Sequence, residues 1–401
     1  MKHPFRWFAP ARSGTSAGHQ IEEKAAAPMN SAMFAIAGSG TAIWSNADYA
    51  TMAKRGYMSN PVVYRCIRHI AQTAAAVPLL AYDGAQELDT HPALDLLRRP
   101  NERQGGSDFM EALIGHLLVS GNAYIHGAAI DGAPRELHLL RPDQVVATTG
   151  RDGWVTGYEH TSGTARTRYM ADEADGWLPV LHIALFHPLE DAQGFAPLQA
   201  ALTALDVHNA ANRWNKALLD NSARPSGALV YSGGHDDNLT DEQFSRLKSE
   251  LEDGYTGTAS AGRPLLLEGG LDWKPMGHSP KDMDFIEARN GAARDIALAF
   301  GVPPMLLGIP GDATYANYRE ANRAFLRHTM VPTLSRILDG LSHWLAPRFE
   351  GGLRLAMDED CIDGLGEDRQ AIWDRLKDAD YLTDDEKREM LGFSPMSEAT
   401  K

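Results

Sequence analysis

At 401 residues the chain is long for one compact domain and short for three, and its apolar (43%) and charged (23%) shares match a soluble protein with a core, which excludes a wholly disordered chain. A formal net charge of −15 lacks the cationic footprint of a protein that grips nucleic acid by neutralising phosphates. Cys66 and Cys361 lie far apart with no CxxC or Cys/His cluster, so they read as free thiols in a reducing compartment and give no zinc site.

Residues 1–29 mix charge, Ala, Ser and Gly without periodicity, the pattern of a flexible N-terminal arm, and they hold no continuous apolar signal region. The apolar stretch 29–44 is interrupted by Gly38, Ser39 and Gly40 and falls short of the roughly 20 residues that cross a bilayer, so no membrane span is expected. At Asn60 the texture changes. Pro61 suits a first helical turn, and Val63, Ile67, Ile70 and Ala74 recur at helical spacing until Pro78, which predicts an amphipathic helix capped by Asn60. A second helix is predicted from Ser107, read as its cap, with Phe109, Leu113 and Leu117 on one face up to Gly121.

Beyond Gly121 the period shortens to two. Segments 123–129, 136–140, 144–148, 156–161 and 180–186 alternate and are separated by Gly, Pro and Asp, predicting a mixed sheet region and an α+β class rather than a βαβ repeat. A long helix follows over 196–221. It opens on Leu198, Leu202 and Leu205 and then passes through His208, Asn209, Asn212 and Asn215, a middle so polar that it is expected either to bridge solvent or to pack on equivalent polar neighbours rather than on the core of its own subunit. After Pro225 come a strand (228–232), a helix from Thr240 to 254, and strands 264–267 and 272–276. A further helix (281–300) has Phe285, Ile286, Ala293, Ile296 and Ala297 on its apolar side and is cut by Pro303 and Pro304. A Gly-rich connection leads to a helical tract over 318–349, in which Pro332 removes a backbone hydrogen bond and predicts a kink. The segment 358–389 carries thirteen acids against five bases.

A search for catalytic constellations finds no HExxH, GxxxxGK[ST] or GxSxG, and no GxGxxG leading from strand to helix, so no catalytic residue, metal or cofactor is assigned. His182 and His187, with Glu190 nearby, are the side chains a hydrolase would use; His182 lies in an apolar run, where a hydrogen-bonded core imidazole is the simpler reading. Asp282 and Asp284 are read as favouring a helix N-terminus, and the acidic tail, lacking EF-hand spacing, as a solvated face.

One ordered set of motifs resembles the HK97-type phage portal family: Phe300-Gly301-Val302-Pro303-Pro304-Met305-Leu306-Leu307-Gly308 followed by Thr314, Asn317 and the Pro332 helix. Asn60-Pro61-Val62-Val63-Tyr64-Arg65-Cys66-Ile67, Gly121-Asn122-Ala123-Tyr124, Leu140-Arg141-Pro142-Asp143 and Ala223-Arg224-Pro225-Ser226-Gly227 are similar to further stretches of that family. The resemblance implies a closed ring, typically a dodecamer, at one capsid vertex of a virion or phage-like particle, through which double-stranded DNA is packaged and ejected. Carried onto this chain, it implies a wing over 30–195, stem helices over 196–223 and 280–303, and a clip over 224–279. A tunnel loop would span 304–317 (Leu307, Gly308, Ile309, Pro310, Gly311, Asp312, Ala313, Thr314, Tyr315 and Asn317 among its residues). A kinked helix and wing return would cover 318–357 and an acidic crown 358–401. The implied partners are further copies of the chain, the terminase large subunit, the major capsid protein and a head-tail connector. A non-channel capsid adaptor or scaffold, and a hydrolase built on His182, His187 and Glu190, stand as the alternative classes.

Overall fold

The computed structural model of the chain describes residues 45–130, 132–151, 153–173, 175–220, 227–231, 240, 242, 245–246, 249, 271–275, 285–310, 315–349, 352–362, 364 and 373–390. Helices and antiparallel sheets are interleaved along the chain, which is the α+β class expected from the sequence. A short helix α1 (Tyr49–Thr51) runs into a π-helical turn, Met52–Tyr57, and then into α2 (Pro61–Ala75). Asn60 caps α2: its Oδ1 accepts from the Val62 and Val63 amides while Pro61 occupies the first turn. Val63, Cys66, Ile67, Ile70, Ala71 and Ala74 are buried along one face.

Strands β1 (Leu79–Asp83) and β2 (Gln86–Leu88) and the short helix α3 (Pro92–Arg98) precede α4 (Gly106–Ser120). Ser107 does not cap α4. The cap position is Gly105, without a side-chain bond, because Gly106 lies against the Leu97 carbonyl so closely that the helix start is set by packing on α3; the Ser107 hydroxyl instead donates to the Ala75 carbonyl. Helix α4 packs on α2, and Phe109, Leu113, Ile114 and Leu117 are fully buried in the main core.

Strands β3 (Asn122–Ile130), β4 (Ala133–Leu140), β5 (Val145–Thr149), β6 (Val155–Ser162), β7 (Ala165–Met170) and β8 (Val180–Ala184) follow. They form two sheets, ordered β4-β3-β8 and β5-β6-β7, and every pairing is antiparallel. The expected mixed sheet is therefore corrected: β3-β4, β5-β6 and β6-β7 pair across short connections, which permit only antiparallel partners. The two sheets share a second, small core: Tyr124, Leu140 and Val180 from β3, β4 and β8, with Val145 and Tyr158 from β5 and β6. Late in the chain β11 (Leu353–Met357) returns to pair with β1, Leu79 opposite Met357 and Asp83 opposite Leu353, giving the sheet β11-β1-β2.

After the turn α5 (Pro197–Ala200), α6 spans Leu202–Asp220. The expectation that its polar middle bridges solvent or packs mainly on copies of the chain is corrected, because much of that middle is engaged within the chain. Asn60 Nδ2 donates to His208 Nδ1 (2.9 Å) and to Asn209 Oδ1 (2.9 Å), and Asn209 Nδ2 donates to the Arg55 carbonyl (2.9 Å). Asp206 accepts from the Ser45 amide and hydroxyl, and Asn212 Nδ2 lies 3.2 Å from His208 Nδ1. The helix docks on the start of α2 by hydrogen bonds where an apolar stripe would otherwise serve.

Of the module after Pro225, strand β9 (Gly227–Tyr231) pairs antiparallel with β10 (Leu271–Pro275). The strand expected over 264–267, most of the helix from Thr240, and Asp282 and Asp284 lie outside the described residues. Helix α7 (Phe285–Ala299) packs on α6. The later helical tract divides into α8 (Tyr315–Phe325), a π-helical turn (Leu326–Met330), α9 (Val331–Leu345) and a 3-10 turn (Ala346–Arg348). The break expected at Pro332 thus takes the form of a widened turn just before it. Proline offers no N–H to the preceding turn, and the π geometry absorbs the mismatch. In the acidic tail α10 (Asp384–Met390) opens with a capping box, Thr383 Oγ1 accepting from the Glu386 amide and Glu386 Oε2 from the Thr383 amide.

Candidate functional site

The Phe300–Pro310 run is a designed exit from α7. Gly301 takes a left-handed φ of 67°, its amide bonds to the Leu298 carbonyl (2.9 Å) and the Val302 amide bonds to the Ala297 carbonyl (2.9 Å). That pair is a Schellman motif, and Pro303 then forbids further helix. Phe300 and Val302 are buried in the main core, as is Leu306, the only side chain of the following 3-10 turn (Pro304–Leu307) to be so. Gly308 ends that turn with φ of 72°, and its amide and that of Ile309 return to the Met305 and Pro304 carbonyls.

Two side chains from other elements hold the run. Thr329, on the π-helical turn, donates its hydroxyl to the Gly301 carbonyl at 2.6 Å. Arg294, exposed on α7, donates to the Pro310 carbonyl. Between the run and α8 lies an open groove of about 680 Å³ lined by Arg294, Pro304, Met305, Ile309, Asn317 and Glu320 among others. Gly311, Asp312, Ala313 and Thr314 lie outside the described residues. Tyr315 and Asn317, expected in a loop, belong to the first turn of α8, so the helix starts three residues before the boundary expected at 318.

The Gly121-Asn122-Ala123-Tyr124 motif forms a second constrained locus. Gly121 ends α4 in left-handed conformation (φ 77°), and a Cβ there would meet the Gly194 backbone at 2.6 Å; the two glycines allow the chains to touch. Asn122 fastens them. Its Nδ2 donates to the Ser120 carbonyl (2.9 Å) and, at 3.4 Å, to that of Gly194, while its Oδ1 accepts from the Gly194 amide (2.7 Å) and from His182 Nε2 (2.9 Å). Because a backbone amide can only donate and a carbonyl only accept, the Asn122 orientation is fixed, and His182 must carry its proton on Nε2. His182 also stacks on Tyr124 at 4.3 Å, and burial pushes its pKa down to about 4. His187 accepts from the Leu189 amide and packs edge-on against Phe195. The two histidines are thus occupied in separate contacts, neither of them with Glu190, an exposed residue.

Burial drives His116, bonded to the Tyr49 hydroxyl, to about 4, with Arg141 adding to the effect, and drives the buried Cys66 thiol up to about 12. His208 is likewise lowered, by burial and then by Arg289. Among the described residues no group of three or more His, Cys, Asp or Glu could hold a metal ion, and no helix is long and apolar enough to cross a membrane. The Arg141–Asp143 pair of the Leu140-Arg141-Pro142-Asp143 motif is bidentate (3.1 and 2.6 Å) and closes a 3-10 turn, Pro142–Gln144. Of the Ala223–Gly227 motif only Gly227 is among the described residues, at the start of β9.

Comparison with known proteins gives these motifs a context: the family model described as phage portal protein matches residues 61–392. The chain belongs to the phage portal protein family. Within that family, the portal protein of Enterobacteria phage HK97 is 26% identical over 313 residues, spanning 76% of this chain and 70% of that one. An uncharacterized protein of Rickettsia bellii is 40% identical over 87% of this chain and 91% of its own length. Among solved structures, a chain from the neck of an empty gene transfer agent particle, computed with C6 symmetry, is 48% identical with a TM-score of 0.71, covering 88% of this chain and 96% of that chain.

Several residues of this portal-family chain escaped the sequence reading. Arg294 and Thr329 sit on helices, where an exposed Arg and a half-buried Thr carry no local signal. Gly194 could have been found only as the missing counterpart of Gly121. The Asn60–His208 pair was visible as two polar residues at helical positions but not as partners.

Proposed function

We propose that the chain is the subunit of a closed ring forming the channel at one capsid vertex, through which double-stranded DNA is packaged and ejected. The observation that carries this reading is the family match over 61–392 joined to 48% identity with a chain of a particle neck. The ring, a dodecamer on this reading, works in the neck of a virion or phage-like particle. The terminase large subunit and later a head-tail connector dock on the clip (224–279), and the major capsid protein meets the wing (30–195). Stem helices over 196–223 and 280–303 line the passage, 304–317 is the tunnel loop, and 358–401 the crown.

The charge pattern supports a conduit. A net charge of −15 keeps phosphates sliding, because tight grip needs many Lys and Arg contacts. The role is passive rather than enzymatic: the chain lacks a phosphate-binding loop motif, and His182, the best-placed base, is held in a hydrogen-bonded core. ATP hydrolysis then belongs to the terminase.

Electron microscopy of the purified chain tests this directly. End-on rings with a hole wide enough for duplex DNA are expected; monomers that persist with capsid and scaffold proteins present would overturn the ring. Gly308→Ala tests the tunnel loop. A Cβ there meets nothing within 4 Å, so rings should form, while the left-handed φ of 72° strains the substitution by about 1 kcal/mol and should lower DNA retention. Unchanged DNA content in assembled particles would sink the tunnel-loop assignment.

A further inference from the structure

We infer that Arg294 is a positioning residue that fixes Pro310, inside the tunnel loop read over 304–317, to α7, an inference that rests on the portal reading for its purpose but not for its geometry. The run is strung between two posts. At its start the Gly301 carbonyl accepts from Thr329, whose own turn is locked by Leu326 and Met330 in the core. In its middle Leu306 is buried, and Val302 beside Gly301 is too. At its far end Ile309 packs partly buried against the main core, while Pro310 is exposed and its carbonyl accepts from the Arg294 guanidinium.

The groove of about 680 Å³ explains why that contact matters. It lies between Ile309 and Pro310 on one side and Asn317 and Glu320 of α8 on the other, with Arg294 also on its lining, so the end of the run borders open space that the guanidinium reaches across to the Pro310 carbonyl. A charge-assisted hydrogen bond to a carbonyl is directional and is made at one position of the backbone only. Arg294 therefore fixes Pro310 to α7, the helix read as part of the stem, and a rigid-body shift of α7 is transmitted to Pro310. Because the contact is solvent-exposed it is also readily broken and remade, unlike the buried anchors at the other end.

Hydrogen exchange on the purified full chain, as it assembles, tests the tether without any assumption about DNA. The Gly308 and Ile309 amides, bonded to Met305 and Pro304, are the reporters. Arg294→Ala is expected to speed their exchange about fivefold, the effect of about 1 kcal/mol of lost hydrogen bonding, while Leu306 and the α7 amides stay as they were. Arg294→Lys, which keeps a donor, should restore much of the protection. Unchanged exchange in Arg294→Ala, or no rescue by Lys, would overturn the assignment. In particles, Arg294→Ala should assemble normally and lose DNA retention. Faster exchange in Arg294→Ala combined with absent rings of the unaltered chain would refute the portal reading alone, whereas rings with unaltered exchange would refute the tether alone.

Discussion

Replacing Asn122 by Ala removes one amide and strands several partners. The Gly194 amide, the His182 Nε2–H and the Ser120 carbonyl lose their partner at a site where Asn122 itself is 7% exposed. Each buried group left unpaired costs about 1–3 kcal/mol, and partial access of water to His182 lowers the total, so a destabilisation of about 3–5 kcal/mol is expected. Urea unfolding of the unassembled full chain, followed by tryptophan fluorescence, measures it. A double-mutant cycle with His182→Phe sharpens the test. In the double variant the imidazole N–H is no longer stranded, so the two losses should fall short of additivity by about 1–2 kcal/mol. Strict additivity, or a loss for Asn122→Ala under about 1 kcal/mol, would refute the argument that this amide fastens α4, β8 and the Gly194 segment together. Asn122→Asp adds a spectroscopic arm: a carboxylate facing Nε2 should raise the His182 pKa from about 4 toward or above its ordinary value, read by NMR titration.

Stability should also fall with acid. His116 and His182 are held near 4 against an ordinary 6.5, so the unfolded chain binds their protons first and stability is lost as pH drops from about 6.5 toward 4. Each contributes roughly 2 kcal/mol of loss by pH 5, and pH-dependent urea midpoints that stay flat over that window would contradict the burial argument. Gly121→Ala places a Cβ 2.6 Å from the Gly194 backbone at a φ of 77°, and should cost more than about 3 kcal/mol, with soluble yield as the first readout. Asn60→Ser keeps a capping oxygen for Val62 and Val63 but loses both donors to α6. It should therefore destabilise by about 1–3 kcal/mol, and Asn60→Ala by about 1 kcal/mol more, the difference reporting the cap. Equal losses would mean that the side-chain oxygen contributes nothing to the helix.

Local chemistry was legible and distant partnership was not. The Asn60 cap, the Pro61 first turn, the stop at Gly121 and the β3, β4 and β6 strands each depend on neighbours within a few residues, and each appears where residue type and period place it. The Schellman exit at Gly301 and the proline stop belong to the same class. By contrast β1 and β11 had no signal, because both are short and they pair with each other across most of the chain. The polar middle of α6 was misread for a related reason. Periodicity reports whether a helix has an apolar stripe, but not that Asn60 and Arg55, some 150 residues earlier, offer matching donors and acceptors. Pro332 announced a disturbance, yet whether the chain answers with a bend or a wider turn depends on Leu326 and Met330 finding the core, which no local rule encodes. At the candidate site the motif located the 300–310 run, while its two posts, Arg294 and Thr329, come from helices on either side.

The pairing of β1 with β11 also sets a timetable. Gly352 returns its amide to the Asp83 carboxylate across 269 residues, and the β1 edge has no partner on that side until Met357 has been made. A chain emerging from the ribosome therefore carries an unfinished sheet edge beside α3 until late in its synthesis. The sheet can close only once Met357 has been made, so a nonsense fragment ending before residue 353 keeps an open edge and is an aggregation hazard.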